Sequence, residues 1–161
     1  MHKVKCRSSW DEYFMKIAAL VAERSTCRRH HVGAVIVKNK HILTTGYNGA
    51  ASKLPDCLQK GCIRDNLDIP SGQQQQICRA IHAEQNAIIQ AAIHGKNIAG
   101  SMMYCTHSPC IICAKMIVNA RIKIVISYGD YADRTFIKLF KAAGIEFRKI
   151  PRPNQIIEML D

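Results

Sequence analysis

Hydrophobic positions recur at helical spacing over residues 10–24, where Tyr13, Phe14, Ile17, Leu20 and Val21 fall on one face. The pattern then changes: "GAVIVK" and "HILTTGY" read as two strands joined by a tight turn at 38–40. From 49 to 77 periodicity fails, Pro, Gly, Asp and Ser accumulate, and "GQQQQ" forms a short low-complexity patch. A structureless loop of that length inside a compact domain needs something to tie it down. Helical spacing resumes over 80–94 and stops at Gly95. "SMMYCT" predicts a strand, and "PCIICAKMIVNA" a helix with a proline in its first turn. "IKIVISY" reads as a buried strand, "DRTFIKLFKAAG" as a helix with a glycine cap, "IEFRKI" as a last strand and "NQIIEMLD" as a short terminal helix. Helices and strands alternate after the first hairpin, which predicts an α/β fold: a three-layer α/β/α domain around a mixed sheet of about five strands. With no internal repeat or linker in view, residues 1–161 are expected to form a single domain.

Composition narrows the class without naming a function. Hydrophobic residues make up 48% and charged residues 22%, as in a soluble globular protein. The longest apolar runs are far short of the roughly 20 residues needed to span a bilayer, so no membrane role is expected. No apolar segment precedes Trp10, so no secretory signal is evident and a cytoplasmic location is expected. The formal net charge of +11 favours anionic partners, either nucleic acid or a phosphorylated small molecule. The bases are scattered and the aromatics few (one Trp, five Tyr, four Phe), without the interleaved stripe of a nucleic-acid groove.

Eight cysteines in such a chain point to metal or chemistry, because nothing suggests an oxidised secreted framework. Two of them, Cys110 and Cys113, lie one turn apart at a helix N-terminus, where free N–H groups and the helix dipole favour thiolate. One His and two Cys suit zinc, and three protein ligands leave a fourth position open, as catalytic sites require. His82 is the natural partner. Glu84, two residues on, points about 200° away on a regular helix and is poorly placed to chelate the same ion. It is placed instead to move protons between a water and a substrate. A C-x-x-C alone also fits buried small hydrophobes or a thioredoxin-like redox pair, but a redox pair needs no H-x-E upstream. The joint pattern H-x-E…P-C-x-x-C is the established signature of zinc deaminases.

Together with "VGAVIV", "TGYNG", "HAEQNAII", "MYCTHSPCIICAKMI" and "AGIEFRKI", this signature makes the chain resemble the deoxycytidylate deaminases of the cytidine deaminase superfamily, over about residues 11–150. The resemblance implies the superfamily α/β/α fold and hydrolysis of dCMP to dUMP and ammonia, the precursor for thymidylate synthesis. It implies His82, Cys110 and Cys113 as ligands of a catalytic zinc and Glu84 as proton shuttle. It also implies substrate contacts at Asn48, Ala83, Ser108 and Tyr131, with Asn48 against the deoxyribose and Tyr131 near the phosphate. Read without the family, "GYNG" is a turn and Tyr131 an ordinary loop aromatic.

A second group remains. Cys57, Cys62 and Cys78 fall in the irregular segment, at about 49–78, and Cys27 lies in the connection before the first predicted strand. Four thiolates make a closed, structural zinc site that would tie such a loop. Some members of the resembled family carry a second zinc here, matching Cys27 and Cys57; Cys62 and Cys78 follow mainly from this sequence, and His30 or His31 is an alternative ligand. Cysteines also serve as small buried hydrophobes, and Cys6 and Cys105 are read that way.

Ala51 and Lys53 stand where family members often carry proline and glycine. That loop takes part in effector binding in allosteric members, which respond to dCTP and dTTP. The resemblance further implies a homo-oligomer, commonly a hexamer. The competing readings are a tRNA adenosine deaminase, which typically has Glu where Ser108 stands, and a nucleoside cytidine deaminase, which has Cys where His82 stands. A zinc-stabilised nucleic-acid-binding module is the rival from outside catalysis, and it leaves Glu84 without a role.

Overall fold

The computed structural model describes residues 7–153, and the terminal helix expected over 154–161 lies outside the described residues. In chain order the elements are α1 (Trp10–Ala22), β1 (Gly33–Lys38), β2 (His41–Tyr47), β3 (Gly49–Ala50), α2 (Cys57–Lys60), α3 (Ile63–Asn66), β4 (Ala80–Ile81), α4 (Ala83–Ile93), β5 (Met102–His107), α5 (Ile111–Asn119), β6 (Ile124–Gly129), α6 (Phe136–Ala143) and β7 (Glu146–Lys149). One 3₁₀ turn, Gln75–Ile77, precedes β4.

Five strands form one mixed sheet in the order β2-β1-β5-β6-β7. β1 runs antiparallel to β2 and β5, whereas β5, β6 and β7 are mutually parallel. The period-2 geometry of strands sorts the side chains onto two faces. Ala34, Ile36, Met103, Cys105 and Val125 meet Ala87 of α4, Ile117 of α5 and Phe136 and Phe140 of α6 in one core cluster. Val35, Val37, Tyr104 and Ile126 meet Phe14, Met15 and Ala18 of α1 in the other. The predicted three layers are therefore present, with one helix on one face and three on the other. Burying each large apolar side chain of these clusters contributes on the order of 1.5–3 kcal/mol.

Local signals place most element ends. Ser9 caps α1 by accepting from Glu12 N–H at 3.1 Å. Asn39 and Lys40 turn the β1–β2 hairpin with φ of 51° and 63°, and Gly144 closes α6 at φ 69°. Two predicted boundaries change. The helix expected over 80–94 begins at Ala83, because Ala80–Ile81 pairs instead with Gly49–Ala50 as a two-stranded ribbon. Pro109 precedes the cap of α5 rather than sitting in its first turn, since Cys110 is the cap. The segment from 49 to 78 holds short elements: β3, α2, α3 and the 3₁₀ turn.

Helix α4 lies close on β2. A Cβ on Gly46 would stand 2.3 Å from both the Ala83 carbonyl oxygen and the Ala87 backbone nitrogen. Gly46→Ala is therefore expected to push α4 off the sheet and cost about 1–3 kcal/mol, as overpacked cores do. A chemical-denaturation midpoint equal to that of the wild type would contradict this contact.

Candidate active site

The chemistry gathers where the parallel strands end, the usual place for sites in open α/β sheets. β5 leads into His107 and Ser108, and β6 leads through Gly129 to Tyr131. Ser108 N–H donates to the Gly129 carbonyl at 2.9 Å, and Tyr131 N–H donates to Ser108 Oγ at 2.8 Å, so the two strand ends are latched together.

Two helices then aim their N-termini at one point. His82 is the N-cap residue of α4 and Cys110 that of α5. His82 Nδ1 lies 3.6 Å from Cys110 Sγ and 3.4 Å from Cys113 Sγ. The donor atoms of these three residues all lie within 4.8 Å of one another. A tetrahedral zinc with ordinary Zn–N and Zn–S bonds sets its nitrogen and sulfur ligands about 3.5 Å apart, so the observed spacing fits that ion. The start of α5 is held in place too: Cys113 N–H points to Cys110 Sγ at 3.5 Å, and Ile111 N–H donates to Asp133 Oδ2 at 3.2 Å. His82 N–H donates to Gln85 Oε1 at 2.9 Å, which orients the cap of α4.

The electrostatics suit thiolate. The neighbouring Cys113 thiol holds Cys110 down to about 4, with His82 adding to the effect. The same contact, together with burial, pushes the Cys113 thiol up. Hydrogen bonding to Cys110 raises His82. Glu84, the second residue of α4, is buried, and that burial pushes its carboxyl up to about 7 against the opposing pull of His82.

A single pocket joins these groups. Its wall includes His82, Glu84 and Cys110, and also Asn48, Ala83, Ser108 and Tyr131, the four residues expected to contact substrate. Asn48 is buried; its Oδ1 accepts from Val32 N–H at 2.9 Å and its Nδ2 donates to the His30 carbonyl at 2.8 Å. It thus braces the loop before β1 while facing the pocket. The Tyr131 hydroxyl accepts from Gln75 Nε2 at 2.6 Å, and its ring centroid lies 6.5 Å from that of His82.

The second cysteine group lies around Cys57. Cys27, Cys57 and Cys62 are buried and Cys78 is half-buried. Burial raises the Cys57 thiol, and Cys27, Cys62 and Cys78 are close enough to raise it further. Their sulfurs do not draw together as the first group does; among the described residues, His82, Cys110 and Cys113 are the set of three or more candidate donors within 4.8 Å. Cys27 and Cys78 reach the wall of the same pocket. Cys105 packs fully buried in the core cluster, and Cys6 lies outside the described residues.

Sequence reasoning did not single out Arg64, His30 or His107 as pocket residues, although all three line it. Nothing local marks Arg64 among the 23 Lys and Arg of the chain. Among the described residues, no helix is long and apolar enough to cross a membrane.

The cytidine and deoxycytidylate deaminase zinc-binding region matches residues 8–128. A deoxycytidylate deaminase of Schizosaccharomyces pombe is 37% identical over 154 residues, covering 93% of this chain but 47% of its own, so the chain spans about half the length of that relative. ComE operon protein 2 of Bacillus subtilis is 38% identical, covering 95% of this chain and 77% of its own. The crystal structure of the dCMP deaminase of cyanophage S-TIM5, in complex with dCMP and dUMP, superposes with a TM-score of 0.74 at 34% identity, covering 90% of this chain and 99% of that one.

If the three donors hold one ion, Cys113→Ser lowers bound zinc by one ion per chain, whereas Glu84→Gln leaves the content unchanged. Elemental analysis of the purified variants measures both, and equal zinc in wild type and Cys113→Ser would remove Cys113 from the ligand set.

Proposed function

The chain belongs to the cytidine and deoxycytidylate deaminase family, and we propose that it hydrolyses dCMP to dUMP and ammonia. The observation that carries this reading is the donor set of His82, Cys110 and Cys113 with the buried Glu84 in the wall of the same pocket. When bound there, zinc lowers the pKa of a water to about 7 and so supplies a nucleophile in neutral solution. The chain's own residues do the rest. Glu84 accepts the proton that the attacking water gives up and passes it to the pyrimidine ring nitrogen beside the carbon under attack. It then moves a second proton to the exocyclic amine, which leaves as ammonia while the oxygen stays on the ring. One water is consumed and no redox step is needed.

Ala83 and Ser108 flank the base in this reading, Asn48 faces the deoxyribose, and Tyr131 stands towards the phosphate. Their common place in the pocket wall supports the assignment. The second metal belongs here as well: zinc on Cys27, Cys57, Cys62 and Cys78 would tie the 49–78 segment, and the burial of Cys27, Cys57 and Cys62 supports it. A homo-oligomer, hexameric as in the resembled family and regulated by dCTP and dTTP, completes the proposal. The exposed apolar side chains Ile93 of α4 and Ile112 of α5 support an interface between subunits.

Purified enzyme is expected to release ammonia from dCMP much faster than from a tRNA anticodon stem-loop, and Glu84→Gln to lose at least about 100-fold in kcat. Conversion of adenosine to inosine in the stem-loop without dCMP turnover would overturn the substrate; a fully active Glu84→Gln would overturn the shuttle. Zinc analysis should return two ions per chain, falling to one in Cys57→Ser. A wild type holding one ion sinks the second site.

A further inference from the structure

Arg64 is a buried cation that forms no ion pair with a carboxylate among the described residues. The residue sits on α3, is 7% exposed, and supplies, among the described residues, the single guanidinium or ammonium group of the active-site pocket wall. Its Nη1 donates to the Gln73 carbonyl at 3.0 Å. That neutral contact fixes the direction of the side chain. Its Nε is buried with no partner. The adjacent carboxylate is taken: Asp65 Oδ1 is held by Arg29 Nε at 2.6 Å.

Burying a guanidinium without an anion is costly, so a side chain tethered by a neutral carbonyl in the wall of the pocket suggests that an anion comes from outside. The rest of this wall does not compete for that part. His30 and His107 lie with ring centroids 6.1 Å apart, and burial holds both imidazoles below their ordinary range, with Arg64 adding to the effect at His30. They offer neutral hydrogen bonds, while Arg64 brings the positive charge. Its position also matches the chemistry. Arg64 shares the pocket wall with Tyr131, whose ring lies 6.5 Å from that of His82. The cation therefore opens onto the same cavity as the candidate reacting centre, as the phosphate and base of one nucleotide require.

We propose that Arg64 binds the 5′-phosphate through its guanidinium and so sets the preference for a nucleotide over a nucleoside; the assignment rests on the dCMP reading given above. An arginine edge suits a phosphate better than an ammonium does, because its N–H donors are fixed in the plane of the group. The contact comes from the cysteine-bearing segment, not from the sheet, so phosphate recognition and the chemistry at His82 and Glu84 are built on different parts of the chain.

The test measures kcat/KM of the zinc-loaded enzyme for dCMP and for deoxycytidine. In Arg64→Gln, which keeps a donor for the Gln73 carbonyl, the dCMP-to-deoxycytidine ratio is expected to fall about 100-fold, mainly through KM for dCMP. Arg64→Lys, which keeps the charge, is expected to lose about 10-fold or less. A wild type that turns over dCMP while Arg64→Gln keeps its ratio overturns the role of Arg64 and leaves the substrate standing. A wild type inactive on dCMP overturns the substrate, and this assignment with it. Should Arg64→Gln fail to fold, a crystal structure of the wild type with dUMP decides: a phosphate oxygen on the Arg64 guanidinium supports the assignment, and a phosphate held elsewhere overturns it.

Discussion

The active site depends on two helix N-termini meeting at one point. Each presents a metal-donor side chain at its cap, His82 on α4 and Cys110 on α5, and Cys113 lies one turn into the second helix. Helix N-termini carry unsatisfied N–H groups and partial positive charge, which favour thiolate and crowd no side chain into the gap. The approach of α4 to the sheet is what brings His82 there, and it requires a bare backbone at Gly46. Packing and chemistry are therefore coupled: the contact that buries Ala87 also positions His82 and Glu84.

The sheet supplies the second half of the arrangement. Parallel β5 and β6 end side by side, and the bond between Ser108 and Gly129 holds their loops together. Across those loops the 49–78 segment lays a wall containing Arg64 and Cys78, and Gln75 of the same segment braces Tyr131. This segment is held by the Arg29–Asp65 pair and the ribbon of β3 with β4. The candidate metal donors thus sit on regular, densely packed elements, while Arg64 and Cys78 reach the same pocket from an irregular one, as is common when a rigid scaffold carries loops around a cleft.

Much of this was legible in the residues. The layered α/β/α architecture came from alternating helical and strand periods, and the H-x-E…P-C-x-x-C pattern named His82, Glu84, Cys110 and Cys113 by residue type and spacing. Two boundaries were not legible. Residues 80–81 continue the helical spacing of 83–94, yet they pair with Gly49–Ala50, some thirty positions earlier. A local period cannot register a partner that distant. Pro109 favoured a first-turn position by propensity, but the side chain of Cys110 accepts from Cys113 N–H and takes the cap.

Residue types and their spacing were enough to pick out the donor set of His82, Cys110 and Cys113, because metal ligation demands particular side chains at particular intervals. They were also enough to fix the layers, because periods of 2 and 3.6 are local properties of the backbone. Which of the many bases faces the reaction was left to the packing of distant segments. Arg64 is unremarkable in its own stretch of chain. It becomes the cation of the pocket because Asp65 is drawn to Arg29, its own tether is a neutral carbonyl, and its Nε is sealed away from water. Burial without an ion pair is a property of the folded surroundings, and no spacing along the chain encodes it.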